Sequence, residues 1–298
     1  MWKWSIFDKK IDSQFVKVTL CAIGKNENLY IREWVEWYKN LGVSKIILYN
    51  NNDIDGEKFE DVINDYIESG FIKIINRRGK VKTNAKVGIK ELKKGKSVQG
   101  EAYHHCYYHN YKNSDWMFFF DIDEFLAIDF KYDNLFDFLN DFSKYDGIKV
   151  QWRLYGDNGH LHYENKTLNE RFLSKDNESY SNMVKTILKC KKYNYHLFFS
   201  AHGVYNKRPY FVNLKKKRVK YYLKDEKSYK DLPVYLNHFY SKSTEEYIKR
   251  KYMKSDASFG VNKDKNFSLT FVKNNYFSHN KYTEEKDNMF NSLIENKN

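Results

Sequence analysis

Between residues 16 and 75 the apolar residues switch period four times, and that alternation restricts the fold more than any other property of the 298-residue chain. Residues 16–23 (Val-Lys-Val-Thr-Leu-Cys-Ala-Ile), 43–49 and 71–75 are short β-rich runs, and residues 29–41 and 57–69 between them carry helical spacing. In the first helical stretch Tyr30, Trp34, Trp37 and Leu41 recur at i, i+4, i+7 and i+11. Arg32, Glu33, Glu36 and Lys39 lie off that stripe, and Gly42 is placed to end it. The second groups Phe59, Val62, Ile63, Tyr66 and Ile67 on one face before Gly70. Strand, helix, strand, helix, strand at these lengths builds right-handed crossovers and a parallel sheet.

Residues 97–113 read as a third helix, despite Gly100, leading into an apolar strand at 116–120 (Trp-Met-Phe-Phe-Phe). Its His104, His105 and His109 are read as core or interface side chains, because no His-Glu-x-x-His pattern supports a metal pair. Beyond residue 123 the order changes. A helix at 134–145 is followed by strands at 147–155, 183–190, 195–199 and 234–240 without regular helices between them, so the second half is mixed or antiparallel and is built onto the same sheet. Ser243-Thr244-Glu245-Glu246 is a capping box that opens a basic helix running through Lys254, and a short helix with Met289 and Phe290 on its apolar side follows residue 283. Neither repeats nor low-complexity linkers interrupt the chain. One domain is expected over 1–298, with a nucleotide-binding half at about 16–130 and an acceptor half at about 131–298.

The strand at 116–120 ends in Asp121-Ile122-Asp123-Glu124, three carboxylates at the end of a buried run. Such groups repel one another and drift toward protonation unless cations, donors or solvent compensate them. A bound divalent ion is the economical expectation.

Composition narrows the partners. A net charge of +13 with 18% aromatic residues points to something acidic: nucleic acid, nucleotide, phosphoglycan or anionic membrane surface. Residues 76–96 form a basic loop fit to cover a phosphate-bearing ligand, or a solvated charged loop, and residues 213–230 hold Lys215, Lys216, Lys217, Arg218 and Lys220 beside Tyr221 and Tyr222. Cys21, Cys106 and Cys190 are widely spaced, which argues against a disulfide framework and a structural zinc site and makes a reducing cytoplasm the expected compartment. No stretch reaches the roughly 18 apolar residues of a membrane span, so contact with the inner face of a membrane is expected to be peripheral.

In an open parallel sheet, ligands sit beyond the C-terminal strand ends where strand order reverses. That rule brings together Gly24–Glu27, Asn51 with Asp53, and Asp121 with Asp123 and Glu124. Amides and carboxylates at the first two strand ends suit a nucleobase and ribose, and paired acids two residues apart suit a metal bridging a diphosphate. The donor-site candidates are Ala22, Asn26, Glu27, Asn51, Asp53, Asp121 and Ile122. His238, in Leu236-Asn237-His238-Phe239-Tyr240, is read as a further metal ligand beside Asp123, although a lone histidine in apolar company is more often a core residue. Carboxylate, imidazole and phosphate oxygens suit Mn2+, or Mg2+.

Several blocks in order carry a resemblance. Cys21-Ala22-Ile23-Gly24-Lys25-Asn26-Glu27, residues 31–38 (Ile-Arg-Glu-Trp-Val-Glu-Trp-Tyr), Leu41-Gly42-Val43 and Tyr49-Asn50-Asn51 resemble the start of GT-A glycosyltransferases of family 92 and the bacterial family 2-like group. Asp115-Trp116 with residues 120–126 is similar to their metal-binding strand end. Trp152, Gly156, Gly159-His160, Lys185-Thr186-Ile187, Asn237-His238-Phe239-Tyr240, Lys242-Ser243 and Glu246 follow in the family's order, over roughly residues 17–255.

The resemblance implies a GT-A type α/β fold, with a Rossmann-like, mostly parallel central sheet flanked by helices and a mixed or antiparallel C-terminal half. It implies a UDP-sugar or similar nucleotide-sugar donor, a metal held by Asp123 and His238 with Asp121 near the ribose or metal, and a glycan or lipid-linked oligosaccharide acceptor. Inverting transfer needs one general base, for which Asp157 in the turn Gly156-Asp157-Asn158-Gly159 is the candidate. Two other classes compete. A metal-dependent nuclease or phosphotransferase would use the same acids but usually wants a second carboxylate pair for two metals. A basic nucleic-acid-binding protein is suggested by charge and tyrosine content, but the cations are spread rather than grouped in a binding motif.

Overall fold

The first three strands and two helices form as the pattern expects: β1 (Val18–Gly24), α1 (Ile31–Leu41), β2 (Lys45–Asn50), α2 (Glu60–Glu68) and β3 (Ile72–Asn76). The computed structural model describes residues 16–79, 98–174, 178–204, 206, 208–219, 232–253 and 269–295. Most of the basic loop at 76–96 and the Lys220–Tyr222 end of the second basic stretch lie outside them. β2 pairs in parallel with β1 and β3, and β1 with β4 (Trp116–Phe119). Gly42, at φ 101, ends α1 in the left-handed conformation that a residue without a Cβ adopts freely. The buried face of α1 is Ile31, Trp34, Val35 and Tyr38, turned slightly from the expected stripe; Trp37 and Leu41 are only partly buried.

That rotation has a cause. Trp34 Nε1 and Tyr38 Oη both donate to the carbonyl of Glu124, at 3.1 and 2.9 Å, and Trp37 Nε1 donates to the carbonyl of Leu126 at 3.0 Å. These side chains hold β5 (Glu124–Ile128), a strand absent from the sequence reading. β5 pairs antiparallel with β11 (Val234–His238), which runs parallel to β6 (Gly147–Tyr155). β6 pairs antiparallel with β7 (Glu178–Lys189), which closes onto β4. The order is therefore β3-β2-β1-β4-β7-β6-β11-β5, with the short β10 (Phe211–Val212) beside the start of β6. The two halves interleave, since three strands from beyond residue 131 separate β4 from β5. Four strand spacings of about 4.8 Å make roughly 19 Å along a flat sheet. The link between β4 and β5 is only residues 120–123 and is turned back by a bond from Glu124 N to Asp121 O, so the sheet must curl. Asp121 and Asp123 lie on that link, and Glu124 opens β5.

α3 (Val98–Asn110) covers one face of the sheet. A Cβ on Gly100 would stand 2.7 Å from the carbonyl oxygen of Phe199, so glycine lets the helix lie against the small hairpin of β8 (Phe199–Ser200) and β9 (Gly203–Val204). That hairpin is what forms where a strand at 195–199 was expected. His104 packs on Tyr108 and Phe199, and His105 on Tyr49 and His109, as core and interface side chains. α1, α2 and α4 (Leu135–Asp141) cover the other face, and α5 (Leu168–Phe172) adds Leu168 and Phe172 to the same core. The box at Ser243 caps α6 (Thr244–Ile248), which widens into a π-helical turn at Lys249–Met253. Tyr247 and Ile248 pack with α7 (Leu269–Phe277), not expected from the sequence, and α8 (Glu284–Glu295). Among the described residues no helix is long and apolar enough to cross a membrane.

Lys149 of β6 is buried, donates to Thr186 Oγ1 and to the carbonyl of Val204, both at 2.7 Å, and lies over the Phe211 ring. Burial pushes its ammonium down to about 7. Between that value and the ordinary lysine range the unfolded chain holds a proton that the folded chain does not, so stability rises with pH across the window. Lys149→Met is expected to flatten that rise and, after loss of two hydrogen bonds, to gain about 1 kcal/mol at pH 7. Denaturant melts at pH 7 and pH 9 check this; a variant that is less stable at both values refutes it.

Candidate functional site

The crevice begins where β1 and β2 end. Asn26 takes φ 58, and its N–H donates to Asn52 Oδ1 at 2.7 Å; Asn51 N–H donates to the carbonyl of Gly24 at 2.9 Å. Lys25 Nζ is 2.8 Å from Asp53, whose side chain is half exposed at the rim. These bonds tie the two strand ends into one wall carrying Asn26, Glu27, Asn51 and Asp53. Gly24 is where the acid turn meets the wall, because a Cβ there would stand 2.2 Å from Ile122 Cδ1. Ala22 and Ile122 point into the hydrophobic core, so only their backbone can face a ligand.

The three carboxylates of the turn are compensated by the chain's own cations. Asp121 Oδ2 is 2.8 Å from Lys185 Nζ, while its Oδ1 accepts from Gln99 and, at 3.1 Å, from Tyr103 Oη. Glu124 is fully buried, accepts from Asp121 N–H at 2.9 Å and lies 3.6 Å from Lys185. Burial, reinforced by Asp121, raises the Glu124 carboxyl well above the usual range, which favours the neutral acid. Glu124 is thus a structural group below the site.

Asp123 has the opposite character. Its Oδ2 meets Arg250 Nη1 at 2.6 Å and Lys242 Nζ at 3.4 Å, and its Oδ1 is 3.5 Å from His238 Nε2. Burial pushes its carboxyl up, but Lys242, His238 and Arg250 outweigh burial and hold it well below the usual range. Lys242 also approaches Glu27 Oε2 at 3.7 Å and covers the Tyr30 ring, joining the β1 wall to the acid turn. Burial lowers His238 against the pull of Asp123, so the imidazole is neutral at physiological pH. Its Nδ1 is buried without a hydrogen-bond partner.

An ionised carboxylate and a neutral imidazole are the protonation states metal ligation requires. Asp123 and His238 therefore fit a divalent cation that takes its remaining ligands from phosphate oxygens and water. Asp121, expected beside the ribose or metal, is held by Lys185, Gln99 and Tyr103. Among the described residues no three of His, Cys, Asp and Glu converge on one point.

Asp157 lies in the turn after β6, with Asn158 at φ 49 and Gly159 at φ 81. Its Oδ1 accepts from Gly159 N–H at 2.9 Å, and its Oδ2 takes Tyr276 Oη and Lys286 Nζ, the latter at 2.6 Å. Its own N–H donates to Asn280 at 2.7 Å. A general base must offer a lone pair to the acceptor hydroxyl; this carboxylate is buried and shared among donors from three parts of the chain. The geometry makes Asp157 an anchor for α7 and α8 instead.

The sequence pattern of glycosyltransferase family 92 matches residues 15–258, most of the chain. The chain belongs to glycosyltransferase family 92. A family 92 protein of rice, Oryza sativa subsp. japonica, is 28% identical over 107 residues, which are 36% of this chain and 15% of that one. Among solved structures, S. aureus TarS residues 1–349 overlaps 50% of this chain and 38% of its own at 13% identity, TM-score 0.29. The same fragment in complex with UDP-GlcNAc overlaps 50% and 37% at 14% identity, TM-score 0.29. A putative glucose-1-phosphate thymidylyltransferase from Bacillus anthracis overlaps 88% and 82% at 13% identity, TM-score 0.30. The chain spans 15% of the rice relative and well under half of the TarS fragment.

The family 92 region holds Glu27, Asp123, Lys185, His238, Lys242 and Arg250, and it stops before the helices that Asp157 anchors. Gln99, Tyr103 and Arg250 are site residues that the sequence does not single out, while Lys185 and Lys242 stand in the blocks that resemble the family but had no role assigned. Lys185 carried a signal: a lysine inside the apolar run Met183-Val184-Lys185-Thr186-Ile187-Leu188 must find an acid. Arg250 carried none, being one cation of several on a basic helix.

Proposed function

We propose that this family 92 chain is a metal-dependent glycosyltransferase that moves a sugar from a nucleotide-diphosphate donor, a UDP-sugar, to a hydroxyl of a surface glycan or lipid-linked oligosaccharide, with inversion at the anomeric carbon. The observation that carries the reading is the pair of Asp123 and His238, with Oδ1 and Nε2 3.5 Å apart, joined through Lys242 to Glu27 of the wall. These two residues would hold Mn2+ or Mg2+, which when bound neutralises charge on the leaving diphosphate. The wall suits nucleobase and ribose, and Lys185, 2.8 Å from Asp121, fixes that carboxylate beside them. Lys242 holds the wall and the acid turn at a set separation, so donor and cation are presented to each other without rearrangement. The excess of cations across the chain, +13, supports an acceptor on an anionic surface on the cytoplasmic side of a membrane.

Screening nucleotide sugars by thermal unfolding tests the reading. A true donor with Mn2+ at about 100 times its Kd adds about 2.7 kcal/mol of stability, and a chelator should cancel most of it. Absence of any nucleotide-dependent shift, together with release of nucleotides from DNA or RNA by the purified protein, would replace this reading with the phosphotransferase one.

A further inference from the structure

Asp121, Glu27 and Asp123 are balanced by three cations: Lys185 is 2.8 Å from Asp121, Lys242 is shared by Glu27 at 3.7 Å and Asp123 at 3.4 Å, and Arg250 is 2.6 Å from Asp123. A divalent ion arriving alone adds two positive charges beside three cations. A sugar nucleotide diphosphate arriving alone adds two negative charges beside three acids. Only together do they preserve the balance. Of the three cations, Lys185 and Lys242 are sealed, each with 1% side-chain exposure, whereas Arg250 retains 19%.

Arg250 is also the one of the three held on a π-helical turn, a geometry frequent at functional sites. Its Nη2 donates to the carbonyl of Tyr240 and its guanidinium lies 5.7 Å from the Tyr240 ring, two residues beyond His238. It therefore has a pivot beside the site that does not depend on Asp123. Guanidinium binds phosphate oxygens as readily as carboxylate, through the same planar pair of N–H groups.

We propose that Arg250 is an internal counter-ion that occupies Asp123 in the ligand-free protein and passes to the donor's diphosphate when the divalent cation takes Asp123, so that cation and donor binding are coupled through this one side chain. The inference rests on the metal and donor reading above. The exchange makes and breaks no covalent bond; Asp123 trades one cation for another, and the guanidinium trades one anion for another. By linkage, whatever the donor adds to cation affinity the cation adds to donor affinity.

The test measures Mn2+ binding to the full chain by electron paramagnetic resonance, alone and with saturating UDP or GDP, for wild type, Arg250→Gln and Arg250→Lys. Without nucleotide, R250Q is expected to bind Mn2+ at least tenfold tighter than wild type, because Asp123 has lost its nearer cation and keeps only Lys242 at 3.4 Å. With nucleotide, the factor by which it tightens Mn2+ binding should fall at least tenfold in R250Q, while R250K, which keeps the charge, stays within about threefold of wild type. Equal Mn2+ affinity of wild type and R250Q without nucleotide overturns the proposal, as does an R250K that behaves like R250Q. If wild type itself binds no Mn2+ with either nucleotide, the metal reading fails, and the inference with it; if wild type binds and the variants match it, the inference alone fails.

Discussion

Asp123→Asn is expected to lower kcat/KM for sugar transfer by at least about 100-fold, the largest effect of any single substitution in the crevice. The amide keeps the shape of the carboxylate but removes the charge on which Lys242, Arg250 and His238 converge. Charge stabilisation by a catalytic metal amounts to several kcal/mol, and each 1.36 kcal/mol is a factor of ten. Because the substitution also leaves Lys242 and Arg250 without their common acid, part of the loss could come from local unfolding. Melting curves and Mn2+ binding measured on the same preparation separate the two: a folded variant that has lost both Mn2+ binding and turnover meets the expectation. Full turnover by D123N would remove Asp123 from the chemistry altogether.

The second large effect concerns stability. Arg171 and Glu246 form a bidentate buried pair, with Nη1 and Nη2 at 2.8 and 3.0 Å, and Tyr30 Oη donates to the same carboxylate. Glu246 also accepts from Ser243 N–H at 3.0 Å, which completes the α6 cap one residue after Lys242. Removing one partner of such a pair leaves an uncompensated buried charge and costs about 3–5 kcal/mol. Glu246→Ala is therefore expected to lower Tm by on the order of 10 °C. A change under about 0.5 kcal/mol in denaturant melts would show that water replaces the carboxylate.

The pH dependence follows from the same group. Burial raises the Glu246 carboxyl, but Arg171, Ser243 and Tyr30 overcome it and hold it at about 2. A carboxyl depressed on folding stabilises the native state fully above its unfolded value, near 4.5, and that stability is lost as pH falls through about 2. The difference in stability between wild type and E246Q should thus be flat from pH 5 to 8 and shrink below pH 4.5. A difference that grew on acidification would have the wrong sign for this linkage.

The first βαβαβ segment was legible because local rules agree with the global arrangement there. Alternation, helical stripes and Gly42 all point the same way, and sequential neighbours pair in space. β5 was not legible. Phe125-Leu126-Ala127-Ile128 continues the apolar run of β4 with Asp121, Asp123 and Glu124 to interrupt it, and what makes it a separate strand is the set of bonds from Trp34, Trp37 and Tyr38, about ninety residues earlier. The same contacts explain why the buried face of α1 is rotated. Gly156-Asp157-Asn158-Gly159 was read correctly as a turn, yet the role of Asp157 depends on Tyr276, Asn280 and Lys286, far along the chain.

The sequence by itself determined the parallel half of the sheet, the family and the acids at the end of β4, because periodicity and motif are properties of neighbours along the chain. Only the tertiary structure decided how those acids are compensated. The sequence argument left three carboxylates needing a cation and supplied a metal. The curled sheet instead brings Lys185, Lys242 and Arg250 to Asp121, Glu27 and Asp123, and leaves one carboxylate–imidazole pair in the protonation states a metal needs. Charge pairing depends on distance through space, falling with separation and with solvent exposure, and no spacing along the chain encodes either quantity.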